Sequence, residues 1–165
     1  ARAPVRGVPQ PRQRGRRRVR LRVRRTEGHP ARRARVRRHA RIAISIDQSG
    51  SVDDTMLAAF FSELNKLAEI AEFTVIPFDT EVDESQVYTW KKGQTRKTER
   101  VLCGGTCFDA PTRYVNERKF DGHIILTDMM APKPIPSACQ RMWMTNKHYA
   151  SNPYFQTNER VIAVD

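Results

Sequence analysis

Apolar residues predict an alternation of strands and helices in the part of the chain that follows residue 41. Ile42 to Ile46 is a nearly continuous apolar run, which is typical of a strand buried on both faces of a parallel sheet. From about Asp53 to Ala71, apolar residues recur at helical spacing and predict a helix with a wide apolar face. Four further strands are predicted at Phe73–Asp79, His123–Thr127, Gln140–Thr145 and Arg160–Val164. The pattern as a whole indicates an α/β protein.

Small polar residues follow the first predicted strand, where the chain must turn before the helix. They include Asp47, Ser49 and Ser51, with Gly50 between the serines. In an open α/β sheet, ligands bind at the carboxyl ends of the strands, so one carboxylate and two hydroxyls are placed where sites are usually built. Carboxylate and hydroxyl oxygens are the ligands that a hard cation such as Mg²⁺ prefers. This loop is therefore a candidate metal site.

Three separate segments resemble the metal-ion-dependent adhesion site of von Willebrand factor A domains. Asp47 to Ser51 resembles the DxSxS signature, Val101 to Thr106 resembles the glycine-rich loop that carries a threonine, and Ile124 to Asp128 resembles the strand that ends in a second aspartate. The resemblance covers roughly the last three-quarters of the chain. It implies Mg²⁺ as the bound ion, with Mn²⁺ or Ca²⁺ as alternatives, and as metal ligands Asp47, Ser49, Ser51, Thr106 and Asp128.

The fold implied by the resemblance is a doubly wound, mostly parallel sheet of the Rossmann-like von Willebrand A type, with one antiparallel edge strand at Val82 to Trp90. This domain is predicted to span residues 41–165. Related domains usually have glycine after the second aspartate, whereas this chain has Met129 and Met130, which predicts an apolar lip beside the site. Asp109 is predicted to be the N-cap of a helix with Pro111 in its first turn.

Charge divides the chain into two parts of opposite sign. Residues 1–41 hold 17 of the 30 basic residues and one of the 18 acidic residues, a net charge of +16, so the remainder has 13 basic and 17 acidic residues and a net charge of −4. Low hydrophobicity combined with high charge predicts that residues 1–40 form a disordered tail or linker. Arginine-rich tails bind phosphates, so nonspecific nucleic-acid binding through this segment is an alternative function.

Three cysteines, at positions 103, 107 and 139, cannot all form pairs, and the chain shows no signal-peptide pattern. We therefore expect a reducing, cytoplasmic location and no membrane contact. Cys103 and Cys107 flank the glycine-rich loop, but His123 and His148 do not complete a zinc-binding spacing. Small, partly buried thiols are the expected state of these residues.

The candidate site contains no nucleophile or general base with an orienting partner, so we do not expect an enzyme. A phosphatase of the haloacid dehalogenase type would need a second carboxylate where this chain has Ser49. A metal ion with an open coordination position instead favours a protein-binding domain whose partner supplies an Asp or Glu. An ion that only clamps three loops together is a third interpretation.

The resemblance also extends to compact intracellular domains at the C-terminus of predicted metallopeptidase-like proteins. Such relatives often accompany MoxR-type AAA+ ATPases, which makes an AAA+ ATPase a candidate partner. The chain begins with Ala1 rather than methionine and has no HExxH pattern. We therefore expect it to be the non-catalytic part of a longer metallopeptidase-like protein.

Overall fold

The computed structural model describes residues 39–164, so the predictions for the basic tail at residues 1–38 lie outside the described part. Within this part, six strands form one sheet in the order β3-β2-β1-β4-β5-β6. All neighbouring strands are parallel except β2 and β3. The strands are β1 (Ile42–Asp47), β2 (Phe73–Phe78), β3 (Tyr88–Trp90), β4 (Gly122–Leu126), β5 (Gln140–Asn146) and β6 (Arg160–Val164). The predicted fold class is confirmed, including its single antiparallel edge strand.

Helices lie on both faces of this sheet. Successive side chains of a strand point to opposite faces, so a strand made of apolar residues has to be covered on both. They are α1 (Asp54–Ala68), α2 (Asp109–Glu117) and the short α3 (Lys147–Ser151). On one face, Ile44 and Ile46 of β1 belong to the same core cluster as the apolar stripe of α1. On the other face, Ala43 packs with Val115 of α2. Since β1 is covered on both sides, it needs the continuous apolar run seen in its sequence.

Helix α1 begins directly after the candidate metal loop. The carboxylate of Asp53 accepts a hydrogen bond of 2.7 Å from the backbone N–H of Met56, so Asp53 is the N-cap. The helix ends at Ala68, three residues before the predicted end at Ala71. The N-cap at Asp53 therefore marks the point where the loop that follows β1 ends.

Two local predictions were wrong. The antiparallel edge strand covers only Tyr88–Trp90, because the side chain of Asp83 accepts bonds from Ser85 and caps a turn of 3₁₀ helix at Glu84–Gln86. Asp109 is the first residue of α2 rather than its N-cap, and its carboxylate accepts a 2.8 Å bond from the N–H of Ile135. Asp109 therefore anchors the proline-rich loop that follows β4.

Helix α3 was not predicted. Asn146 ends β5 and serves as its N-cap by accepting a 2.9 Å bond from the N–H of Tyr149. Across residues 39–164, none of the helices has the length and apolar character that crossing a membrane would require.

Candidate metal centre

The two aspartates of the predicted site lie at the carboxyl edge of neighbouring strands. Asp47 is the last residue of β1, and Asp128 follows β4 by two residues. Strands β1 and β4 are parallel, and Ile46 lies opposite Leu126. Both carboxylates therefore lie just beyond the same end of this strand pair. Both residues are fully buried. Two carboxylates buried close together repel each other when both are ionised.

Burial dominates the electrostatics of Asp47. The pKa of this carboxyl is raised from its ordinary value of 3.8 to about 6, chiefly by burial and to a smaller extent by the nearby charge of Asp128. Hydrogen bonds with Thr127 and Ser49 act in the opposite direction. One carboxylate oxygen accepts a 2.9 Å bond from the backbone N–H of Ser49, and the other accepts a 2.6 Å bond from the hydroxyl of Thr127. A cation at this place would relieve the cost of the buried charge.

Thr127 joins the two aspartates and was missed by the sequence analysis as a site residue. Its hydroxyl donates to Asp47, accepts a 3.0 Å bond from the N–H of Met129 and lies 3.4 Å from Oδ1 of Asp128. The only sequence signal is that Thr127 directly precedes the second aspartate. Its hydroxyl fixes the rotamer of Asp47 without taking up both of that residue's oxygens.

Asp128 provides the observation that best fits a cation-binding role for this group of oxygens. Its Oδ1 accepts a 2.9 Å bond from the N–H of Met130, whereas its Oδ2 is buried and has no hydrogen-bond partner among residues 39–164. A buried, unpaired carboxylate oxygen is costly, so such atoms usually have a ligand or an ion as partner. The oxygen set around Asp128 therefore suits Mg²⁺ chemically.

The two serines complete the same group of oxygens. The hydroxyls of Ser49 and Ser51 are 3.1 Å apart, and the backbone of Ser49 is already bonded to Asp47. Ser49 is buried and Ser51 is exposed, so the pair runs from the sheet edge toward solvent. The structure thus brings together four of the predicted ligands: Asp47, Ser49, Ser51 and Asp128.

The loop that carries Thr106 is hydrogen-bonded to the serine loop through its backbone, whereas the Thr106 hydroxyl has, in residues 39–164, no bond to the other predicted ligands. The carbonyl of Gly104 accepts a 3.1 Å bond from the N–H of Gly50, and the N–H of Cys107 donates a 2.9 Å bond to the carbonyl of Asp79. A Cβ atom on Gly104 would lie 2.7 Å from a carboxylate oxygen of Asp79, so a larger residue here would require the Asp79 side chain to move. Within the described residues, the side chain of Thr106 has no hydrogen bond to the other four predicted ligands.

Of the two methionines predicted to form an apolar lip beside the site, Met129 is not at the surface and Met130 is. Met129 has a positive φ of 59° and is completely buried in an aromatic cluster with Phe78, Phe108 and Trp143. Only Met130 is exposed at the surface, with 47% of its area accessible. A non-glycine residue at positive φ is strained, and burial of the Met129 side chain offsets that strain.

Gln48 is the second site residue that the sequence analysis missed. Its side chain is 1% exposed; its carbonyl oxygen accepts a 2.8 Å bond from the N–H of Val101, and its amide N–H group donates a 3.4 Å bond to the carbonyl of Glu99. Gln48 therefore joins the loop after β1 to the segment that precedes the glycine-rich loop.

Other candidate ligands do not form a metal cluster. In residues 39–164, no group of three or more His, Cys, Asp or Glu side chains is arranged to hold a metal ion. Cys103, Cys107 and Cys139 are free thiols. Asp79 accepts a 3.2 Å bond from the N–H of Glu81 in its own turn. A cation at the centre would depend on two carboxylates and several hydroxyls, which is the donor set of a hard ion.

One family model and one solved structure are similar to parts of this chain. A family model described as VWA-like domain (DUF2201) matches residues 42–162. No curated protein matches the chain. A crystal structure of the ArnB paralog VWA2 from Sulfolobus acidocaldarius is similar over 64% of this chain, with 13% sequence identity and a TM-score of 0.47. The matched part spans only 34% of that chain.

Proposed function

Since this chain belongs to the VWA-like domain family DUF2201, whose members generally mediate protein interactions and are typically non-catalytic, we propose that it is a metal-dependent protein-binding domain. The proposed ion is Mg²⁺, with Mn²⁺ or Ca²⁺ as alternatives. Its proposed ligands are Asp47, Ser49, Ser51, Thr106 and Asp128. The proposed partner is a protein that supplies an Asp or Glu, with an AAA+ ATPase as one candidate.

The observation that carries the proposal is the unpaired Oδ2 of Asp128 beside the buried Asp47. Neither the charge of Asp47 nor this oxygen has a cationic partner within residues 39–164. When bound, a divalent ion would neutralise both carboxylates and keep an open coordination position that a carboxylate of another protein can fill. The chain's own residues would hold the ion at the edge of the sheet, with the exposed Ser51 on its solvent side.

Replacing Asp128 by Asn tests the site directly. We expect Asp128→Asn to weaken Mg²⁺ binding by at least about tenfold, because it removes one of only two carboxylates from the donor set. Calorimetric titration of Mg²⁺ measures the change. Asp53→Asn is the matched control, since it removes one negative charge from the same region and asparagine still caps α1.

Equal Mg²⁺ affinity in Asp128→Asn and in the parent protein would contradict the proposal. Partner binding is then measured by pull-down with Mg²⁺ and with EDTA, using Asp128→Asn as the negative control. Binding that persists in EDTA and in the variant would leave the domain without a metal-dependent role. Binding that needs both the ion and Asp128 would support the proposed function.

The charge asymmetry favours a second candidate function, nonspecific nucleic-acid binding through residues 1–40. We expect the full chain to bind duplex DNA or RNA with an affinity that falls steeply with salt, because arginines release counterions from phosphates. A binding titration over a salt series, repeated after deletion of residues 1–40, measures this. A slope that survives the deletion would contradict the role of the tail.

A further inference from the structure

One guanidinium group lies across the loop that presents the two serines. Arg100 donates from Nη1 to the backbone carbonyls of Gln48 and Ser49, at 3.0 and 3.2 Å, and from Nη2 to the carbonyl of Val52. Its Nε and Nη2 also reach Oδ1 of Asp54, at 3.4 and 3.2 Å. Arg100 thus holds both ends of the serine loop through three carbonyl groups.

These contacts use the full donor capacity of the group. A guanidinium has five N–H donors and no acceptor, and the structure assigns five acceptor contacts to Arg100. Every donor of Arg100 therefore has an acceptor within the described residues, although a quarter of the side chain is exposed. Asp54 is 92% exposed, so that ion pair contributes little, and the carbonyl contacts are the important ones.

The charge and the geometry of Arg100 predict opposite effects on a bound cation. A positive charge near a metal centre weakens cation binding through Coulomb repulsion. A rigid fork that fixes three carbonyls lowers the cost of ordering the loop when an ion binds, and so strengthens binding. The sign of the effect of a mutation therefore separates the two roles.

We propose that Arg100 is a positioning residue for the metal centre, which holds the loop of Ser49 and Ser51 in its binding geometry before any ion arrives. The inference rests on the proposed metal-binding function. The neighbouring segment supports it from the other side, because Gln48 binds the backbone of Glu99 and Val101. The loop and this segment therefore form one hydrogen-bonded unit.

Three variants separate fork, charge and general support. Arg100→Lys keeps the charge but loses the fork, and Arg100→Met loses both. Asn65→Ala is the matched control: Asn65 exchanges two 2.9 Å bonds with the backbone of Arg96, so its loss loosens the same segment without touching the serine loop. We expect Arg100→Lys and Arg100→Met each to weaken Mg²⁺ binding about tenfold and Asn65→Ala to leave it nearly unchanged.

A second readout needs no metal. Amide hydrogen exchange of Gly50 and Val52 in the metal-free protein should become about tenfold faster in Arg100→Lys and stay at the parent rate in Asn65→Ala. Parent-like exchange in Arg100→Lys, or tighter Mg²⁺ binding in Arg100→Met, would overturn the inference. If the parent protein itself fails to bind Mg²⁺, the proposed function fails while the exchange rates still decide whether Arg100 orders the loop. Should Arg100→Met not fold, Arg100→Lys decides both readouts.

Discussion

Asp47→Asn is expected to raise the free energy of unfolding of the metal-free domain at pH 7 by about 2–3 kcal/mol, and to abolish its response to Mg²⁺. Burial raises the pKa of Asp47 from 3.8 to about 6, so at pH 7 the folded state must hold an unfavourable charge. Asparagine removes that charge. It keeps an oxygen for the N–H of Ser49 and can donate to the hydroxyl of Thr127.

The pH dependence checks the origin of this effect. A raised pKa in the folded state means that protonated Asp47 favours folding below about pH 4, and that this contribution is lost as the pH rises to about 6. Buried His123 acts in the opposite direction, because burial lowers its pKa from 6.5 to about 3 and stability is lost as the pH falls below 6.5.

The two contributions offset each other in the parent protein between about pH 4 and 6. In Asp47→Asn, only that of His123 remains, so stability should rise with pH across this range. Urea unfolding of both proteins, without metal, at pH 4, 5, 6 and 7 measures the difference. Parallel curves for parent and variant, or a variant less stable than the parent at pH 7, would show that Asp47 carries no unfavourable charge.

Glu159→Gln is expected to destabilise the domain by about 2–3 kcal/mol, because it leaves a buried guanidinium without its charge partner. The side chain of Arg141 is 2% exposed and forms a two-pronged contact with Glu159, at 2.9 Å for both Nε and Nη2. The same carboxylate accepts a 2.6 Å bond from the indole N–H of Trp143. Glu159 is 30% exposed, so part of the effect is screened by solvent.

Glu84→Gln is the matched control for this measurement. It breaks the pair between Glu84 and Arg118, which is also short at 2.6 Å but lies at the surface. Little change in the urea midpoint is expected there, because exposed pairs contribute little. Equal losses in the two variants would mean that burial of Arg141 does not set the cost.

The sheet could be predicted from sequence because each strand has a strong local signal. The apolar run of β1 is long enough to require burial on both faces, and the period of α1 is clear over four turns. The failures occurred where one polar side chain decides the backbone. Asp83 caps a turn of 3₁₀ helix in the first half of the segment that was predicted as a strand, and Asn146 caps a helix of only five residues.

The candidate site was predictable where its residues are close in sequence, and less so elsewhere. Asp47, Ser49 and Ser51 share one turn after one strand. Thr127 bonds to Asp47 across 80 residues, and Arg100 reaches Gln48 across 52. Neither contact has a local pattern, because both depend on which strands and loops the sheet places side by side. Met129 was predicted to lie at the surface, because nothing in a pair of adjacent methionines indicates that the first of them has a left-handed backbone.

Met129 connects the proposed metal centre to the hydrophobic interior. Its side chain is enclosed by the aromatic cluster, while the next peptide N–H supports Oδ1 of Asp128. A shift of this part of the rim would therefore disturb the packing of Met129 against the cluster that contains Phe108 and Trp143. Substitutions in this aromatic cluster, although none of its members is a proposed ligand, should therefore change the affinity of the proposed metal centre for its ion.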